Sequence, residues 1–217
     1  MHHNEVKKYV FVVIIVGIAI VLEVYLRMVW GFCNAPLYRV SNKYEYIVLP
    51  SQDGMRFGSH YHYNSYSQRS EEPDTTRRKV LGLGDSVLNG GVISDQDSIA
   101  TSIFSKKTGI QMLNISAGSW GPDNCAAYLE ENGLFDASLI YLLVSSHDAH
   151  DVMTHEPIVG VHKSYPDKQY PLAIAELVDR YLIPKFLHTH THTHTHTHLR
   201  LANLIQTRKC SMVLTSA

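Results

Sequence analysis

The sequence predicts a doubly wound α/β domain with a parallel sheet, carried on an N-terminal transmembrane helix. Three features point that way. Short apolar strands alternate with helical spacing from Lys79 onward, a glycine-rich turn follows the first of those strands, and an apolar run lies close to the N-terminus. Strand–helix–strand alternation implies right-handed crossovers and a parallel sheet with helices on both faces, a three-layer sandwich wound like flavodoxin.

The 217 residues suffice for one α/β domain and an appendage. A hydrophobic content of 45% with 18% charged residues describes a globular chain rather than a disordered one. The net charge of -1 leaves no basic footprint, so no nucleic-acid partner is expected. Cys33, Cys125 and Cys210 are too few and too scattered for a disulfide framework or a zinc site. Cys33 follows Trp-Gly-Phe, a poor lipidation signal. No cofactor is expected.

Tyr9–Leu22 is unbroken apolar sequence after Lys7 and Lys8, and the pattern runs on through Glu23 and Arg27 to Phe32. Residues 9–32 together exceed the roughly 20 helical residues that a bilayer needs. Glu23 and Arg27, four apart, can pair on a helix, and Tyr25 and Trp30 suit an interface. A cleaved signal peptide shares the basic start and apolar core, but no small-x-small site follows Leu22 closely. The segment therefore reads as an uncleaved single-pass anchor. Residues 1–8 are expected in the cytoplasm and the rest outside it.

Residues 33–78 form a lead-in in which Tyr44–Leu49 and Gly58–Asn64 alternate like short strands, and Ser70–Arg78 reads as a polar linker. The α/β domain is expected over residues 79–187. Val80–Leu83 and Gln111–Ile115 are its first two strands, and Leu139–Val144 is a third, apolar throughout, of the kind buried on both faces. Ser98–Lys106 has helical spacing, with Ile99, Ile103 and Phe104 on one face. Pro122–Asn132 has the Pro and Asp of a helix start, and Ala173–Phe186 is a last helix interrupted by Pro184. Loops after the strand C-termini gather at one sheet edge, where ligands bind. Here they are Gly84–Gly91, Ser116–Asp123 and Ser145–Asp151.

Lys79–Gly91 reads KVLGLGDSVLNGG. A serine between a buried strand and a helix projects its Oγ into the crevice, and its own N–H can stabilise an oxyanion. Asp85-Ser86 would equally serve as a plain helix cap.

GLGDSVLNGG (82–91), NISAGSWGPDN (114–124) and LLVSSHDAHD (142–151) stand in the order and spacing of the SGNH/GDSL hydrolases, and residues 36–187 resemble that superfamily. The resemblance is nearest to membrane-anchored members associated with bacterial polysaccharide modification. YNSYSQR (63–69) resembles their N-x-x-G-x-R element, with Ser67 in the glycine position. The resemblance implies Ser86 as nucleophile, with Ser119 and His147 in the oxyanion-hole positions usually held by glycine and asparagine. Gly84, Asp85, Gly118, Gly121 and Asp148 are its supporting residues, Asp85 organising the turn. His147 and His150 could also be ordinary polar loop residues.

The resemblance further implies a late D-x-x-H block carrying the general base, and no D-x-x-H follows residue 151. The α/β domain is therefore expected to be incomplete at its C-terminal side. From His188 to His198 the chain alternates His and Thr strictly, and residues 188–217 read as a repeat and a disordered tail. One reading of His188, His190, His192, His194, His196 and His198 is a metal-binding tract, since alternate residues of an extended chain share a face. Another is an incidental unstructured repeat. A third is a run of the dinucleotide CA, which encodes His and Thr in turn and slips during replication, so that Leu199–Ala217 would be read out of frame.

The function expected from the resemblance is ester hydrolysis or O-acetyl modification of cell-surface carbohydrate, impaired without the base. Its partners would be a carbohydrate ester and the lipid bilayer. The alternative is a catalytically inactive glycan-binding or scaffold domain.

Overall fold

The computed structural model describes residues 2–145 and 151–185, with side chains from Val6 onward. Helix α1 (His2–Trp30) contains a stretch, Val6–Trp30, with the length and composition of a membrane span or signal anchor, the one such helix among the described residues. Its 25 residues rise about 37 Å. Of its side chains from Val6 on, Leu26 alone is buried, so the apolar surface is offered all round the helix. Glu23 and Arg27 do pair, at 2.7 Å. They also hold the chain beside them: Arg27 donates to the Pro171 carbonyl and Glu23 accepts from the Ala173 N–H, both at 2.7 Å.

The lead-in folds into two antiparallel hairpins. Strand β1 (Tyr38–Ser41) pairs with β2 (Glu45–Val48), and β3 (Gln52–Arg56) with β4 (Ser59–Tyr63). The two alternating segments thus become β2 and β4, while of their partners β1 alternates over only four residues and β3 is too polar to alternate. Gln52 joins the hairpins, accepting from the Leu37 N–H and donating to the carbonyls of Leu37 and Leu49, each at 2.9 Å. Arg56 is buried, donates to the Gly31 carbonyl and lies over the Phe57 ring.

The main sheet has three parallel strands, β5 (Lys79–Gly84), β6 (Gln111–Ser116) and β7 (Ile140–Leu142), in spatial order β6-β5-β7. Helices α2 (Ser86–Asn89) and α3 (Ala100–Thr108) join β5 to β6, and α4 (Pro122–Asn132) joins β6 to β7. The architecture is mixed α/β, with the second strand on one side of the first and the third on the other.

Alternation along β5 sorts its two faces. Leu81 and Leu83, with Leu113 and Ile115 of β6, meet Cys125 and Tyr128 of α4, Trp120, and Tyr44, Tyr46 and Ile47 of the first hairpin in one core. Gly82 and Gly84 face the other way. A Cβ on Gly82 would stand 2.8 Å from Met112 and 3.4 Å from Leu88 and Thr101, so missing side chains let α2 and α3 close on the sheet. The lead-in shares the core of the parallel sheet through its tyrosines.

Two helices differ from the sequence expectation. In α3 the buried residue is Thr101, with Ile99 just before the helix, whereas Ile103 is 39% exposed. Residues from Ile174 belong to a second compact unit. There α5 (Ala173–Leu177) widens into a π-helical turn over Val178–Leu182, where the Ile183 N–H reaches back to the Val178 carbonyl. Helical backbone continues through Pro184 to Lys185, so the interruption expected at the proline is absent and the departure from α geometry lies before it.

The largest difference lies in β7. The apolar segment 139–144, expected to be buried on both faces, is exposed throughout, from Ile140 at 43% to Val144 at 55%. Its strand pairs with β5 on one edge, and no described residue pairs with the other.

The core makes a direct prediction. Trp120 is 1% exposed, and its indole N–H donates to the Tyr46 carbonyl at 3.0 Å. Trp120→Phe leaves that carbonyl unpaired and should lower unfolding free energy by about 1–3 kcal/mol, measured by urea titration in detergent.

Candidate active site

Strand β5 ends in Gly84, where a Cβ would come within 3.1 Å of Leu88. The chain can therefore turn into α2 directly beneath the strand. Asp85 caps that helix, its Oδ1 accepting from the Val87 N–H at 2.9 Å, and its backbone is extended as a cap requires. Ser86 follows as the first helical residue, exposed, and no described side chain hydrogen-bonds its hydroxyl. The first N–H groups of a helix have no intrahelical acceptor, so the Ser86 N–H is available beside its own Oγ.

Buried polar side chains hold the underside of this turn. Asn114 Nδ2 donates to the Leu88 carbonyl at 3.0 Å, and Asn114 Oδ1 accepts from the Ser116 hydroxyl at 2.5 Å. Asn89 donates to the Ser116 carbonyl at 3.0 Å and accepts from the Tyr63 hydroxyl at 3.1 Å and the Gly91 N–H at 3.3 Å. Arg69, fully buried, donates to the carbonyls of Asn89 at 2.5 Å, Ser94 at 2.6 Å and Gly91. Burial pushes the Arg69 guanidinium below its ordinary value, while the charge of Asp95 opposes that shift. Every carbonyl at the C-terminal end of α2 and in the loop beyond it that Arg69 reaches is thus fixed from inside.

The second loop lies beside the first, because Gly84 pairs with Ser116 in the parallel ladder. Two residues further on, the Gly118 carbonyl accepts from Tyr46 at 2.8 Å and Tyr165 at 3.2 Å, and the Tyr165 hydroxyl stands 3.4 Å from Ser119 Oγ. Burial, reinforced by Tyr165, pushes the Tyr46 phenol far above its ordinary value, so it donates at any physiological pH. In a trans peptide the C=O and N–H point in opposite directions. Both phenols are buried, so holding Gly118 O on them turns the Ser119 N–H away from the interior.

Gly121 has a different duty. A Cβ there would stand 2.4 Å from the Asp151 carbonyl, so only glycine allows residues 151–153 to lie against the start of α4. Asp123 completes that contact, accepting from the Met153 N–H at 2.7 Å. His147 and Asp148 lie outside the described residues, as do His150 and the His188–His198 tract. Among the described residues no group of three or more His, Cys, Asp or Glu is arranged to hold a metal ion. A cleft of about 410 Å³ on the α3 side, lined by Ser70, Arg77, Gln96, Lys106 and Gln111 among others, shares no residue with the Ser86 turn.

Sequence reasoning missed Arg69, Asn89, Ser116, Tyr46 and Tyr165. The first three lay within or beside quoted motifs, as the R of YNSYSQR, the N of LNGG and the S of NIS. The two tyrosines carried no local signal, because each acts across more than 40 residues.

Ser67 and Ser119, the two serines in positions where the resemblance expects glycine, both adopt left-handed backbone, at φ 63° and 57°. A left-handed residue with a Cβ costs roughly 1–2 kcal/mol. Ser67 Oγ is also buried without a partner. Ser67→Gly should therefore raise stability by about 1–2 kcal/mol, read as a higher melting temperature; an unchanged or lower value would contradict the strain.

No family model matches the chain, and no curated protein is significantly similar to it.

Proposed function

We propose that the chain is a membrane-anchored, SGNH/GDSL-like serine domain that cleaves or transfers an acyl ester on extracytoplasmic carbohydrate, and that it works weakly as it stands. One observation carries this reading. An exposed serine hydroxyl lies at the C-terminal end of the central strand, where strand order reverses, on a turn whose underside is fixed by buried side chains. Ligands of open α/β sheets bind at that reversal.

The Ser86 Oγ would attack the ester carbonyl, its proton passing to a base or to water. The oxyanion that forms would receive the N–H groups of Ser86 and Ser119. Donors of this kind are effective when they need no rearrangement, and the phenol-held Gly118 carbonyl supplies that constraint for Ser119. His147, with Asp148 beside it, is the further donor implied by the resemblance. The left-handed backbone at Ser67 and Ser119 supports the resemblance, since it is the shape that a glycine in those positions would adopt. Lys7 and Lys8, ahead of the apolar span, orient the N-terminus to the cytoplasm and the α/β domain outside.

The resemblance puts the base in a late D-x-x-H block, no D-x-x-H follows residue 151 in this sequence, and weak activity is proposed on that ground. A serine hydrolase lacking one triad member keeps roughly 10³–10⁴-fold catalysis over water from its oxyanion hole and binding. The chain should hydrolyse p-nitrophenyl acetate at that residual level, and a fluorophosphonate probe should label Ser86 slowly. Ser86→Ala should abolish both. Labelling that persists in this variant would remove Ser86 from the reaction.

The exposed Ser86 hydroxyl, to which no described side chain hydrogen-bonds, also supports a second reading, a glycan-binding or scaffold domain with no catalytic role. Retained binding of acetylated polysaccharide by an Ser86→Ala variant, with no probe labelling in the parent chain, would select it.

A further inference from the structure

We propose that the bilayer surface on the domain side meets α1 at Glu23, two turns before the helix ends, and that residues 169–173 lie there against the lipid headgroups. The inference rests on the reading of Val6–Trp30 as a membrane span and goes on to say how much of that span lipid covers.

Residues 169–173 form a strap that runs down the helix. Gln169 exchanges two hydrogen bonds with Ala35, just beyond α1. Its Oε1 accepts from the Ala35 N–H at 3.1 Å and its Nε2 donates to the Ala35 carbonyl at 2.6 Å. Two residues later the Pro171 carbonyl accepts from Arg27, and two after that the Ala173 N–H donates to Glu23. As the strap advances, its contacts step back from Ala35 to Arg27 to Glu23. Leu172, between the last two, is 54% exposed.

The end of the helix is held by the domain as well. The Phe57 N–H donates to the Trp30 carbonyl and Arg56 to the Gly31 carbonyl, each at 2.9 Å. A Cβ on Gly31 would stand 2.2 Å from the Met55 carbonyl, so the second hairpin lies directly on the chain leaving the helix. Residues 23–30 are therefore fixed to the domain at both ends.

Length and polarity decide where lipid stops. The 25 residues rise about 37 Å against a hydrocarbon core of about 30 Å, so part of the helix stands clear. Hydrocarbon reaching Trp30 would immerse the strap, whose residues 169–172 are non-helical, and such backbone is not tolerated against lipid. It would also immerse Glu23 and Arg27, where charge is costly. Hydrocarbon that stops at Glu23 covers residues 6–22, a rise of roughly 25 Å. Spans of about 17 residues are the short end of the range, and local thinning of the bilayer meets the shortfall. Lys7 and Lys8 reach the opposite headgroups with their long stems. Leu172 is then the apolar contact of the strap with the headgroup layer, and Trp30 stands above it.

The test measures depth in the full chain, reconstituted in phosphatidylcholine vesicles. Ile14→Cys and Leu172→Cys are made separately in a chain carrying Cys33→Ser and Cys210→Ser; Cys125, 1% exposed, is shielded from labelling in the folded protein. Each cysteine carries a nitrobenzoxadiazole fluorophore, and the vesicles contain lipid spin-labelled either at the headgroup or at the middle of the acyl chain. The expected result is quenching at Ile14 at least threefold stronger from the mid-chain label, and at Leu172 at least threefold stronger from the headgroup label. Pro171→Cys, which keeps the carbonyl that Arg27 binds, serves as a second reporter where Leu172→Cys disturbs folding. With Ile14 quenched, a stronger mid-chain effect at Leu172 would put the strap in hydrocarbon and overturn the inference alone. So would no quenching at Leu172 from either label, which would leave the strap in water or against a second copy. No quenching at Ile14 would overturn the membrane-span reading and this inference with it.

Discussion

A guanidinium removed from water must find acceptors for its N–H groups or the fold does not form, and Arg69 meets that demand almost entirely with backbone. Its side chain reaches the carbonyls of Asn89, Gly91 and Ser94 and the amide oxygen of Gln96. Its own N–H donates to the Asn114 carbonyl at the middle of β6. One residue of the lead-in thereby fixes the end of α2, the loop beyond it and the second strand. The Asn89 carbonyl, which is buried, would otherwise lack this donor, at roughly 1–3 kcal/mol, whereas those of Gly91 and Ser94 are partly buried. The segment that presents Arg69 is itself built around Asn64, whose Oδ1 accepts from the N–H groups of Tyr66 and Gln68 and whose Nδ2 reaches Gln68 and Glu71.

The first hairpin does for the second loop what Arg69 does for the first. Tyr46 reaches Gly118 with its hydroxyl and Trp120 with its carbonyl, so both sides of the loop are tied to one residue of β2. Glu45 beside it accepts from Asn124 at 2.9 Å, and from Thr154 at 2.6 Å and His155 at 2.9 Å. The start of α4 and the chain after the third loop therefore share one carboxylate. The lead-in is structurally the scaffold of the site, and this explains why a stretch so rich in Tyr, Asn and Gln is buried.

These dependencies separate what local sequence can express from what it cannot. Strands β5 and β6 and helix α4 were legible within a residue or so, because glycine, proline and apolar runs act on their immediate neighbours. So were the caps and the pairing of Glu23 with Arg27, which act over two to four residues. Strand β1 was hidden because YRVS alternates over only four residues, and β3 because QDGMR carries too few apolar residues to alternate, their pairing being set by the hairpin partner. The faces of α3 were misjudged because Thr101 lies under the space vacated by Gly82 and bonds Asn114, whereas Ile103 faces away. Burial of β7 was read from composition, but burial depends on what arrives to cover a strand.

The site is consequently built from two unlike sides. Toward β6, the Ser86 turn is braced by Arg69, Asn89 and Asn114, and the Gly118 carbonyl is held by two phenols. Toward β7, the last strand of the sheet among the described residues has apolar side chains that are about half exposed. Strand order reverses between these sides, at β5, which is where Ser86 stands. Oxyanion stabilisation and proton removal are separate physical tasks, one requiring fixed dipoles and the other a titrating group at hydrogen-bond distance. On the proposed reading, the first would fall to the Ser86 and Ser119 N–H groups, braced from elements preceding or within the β5–β6 unit with Tyr165 the one late contributor, and the second would need a titrating group that hydrogen-bonds Ser86 Oγ.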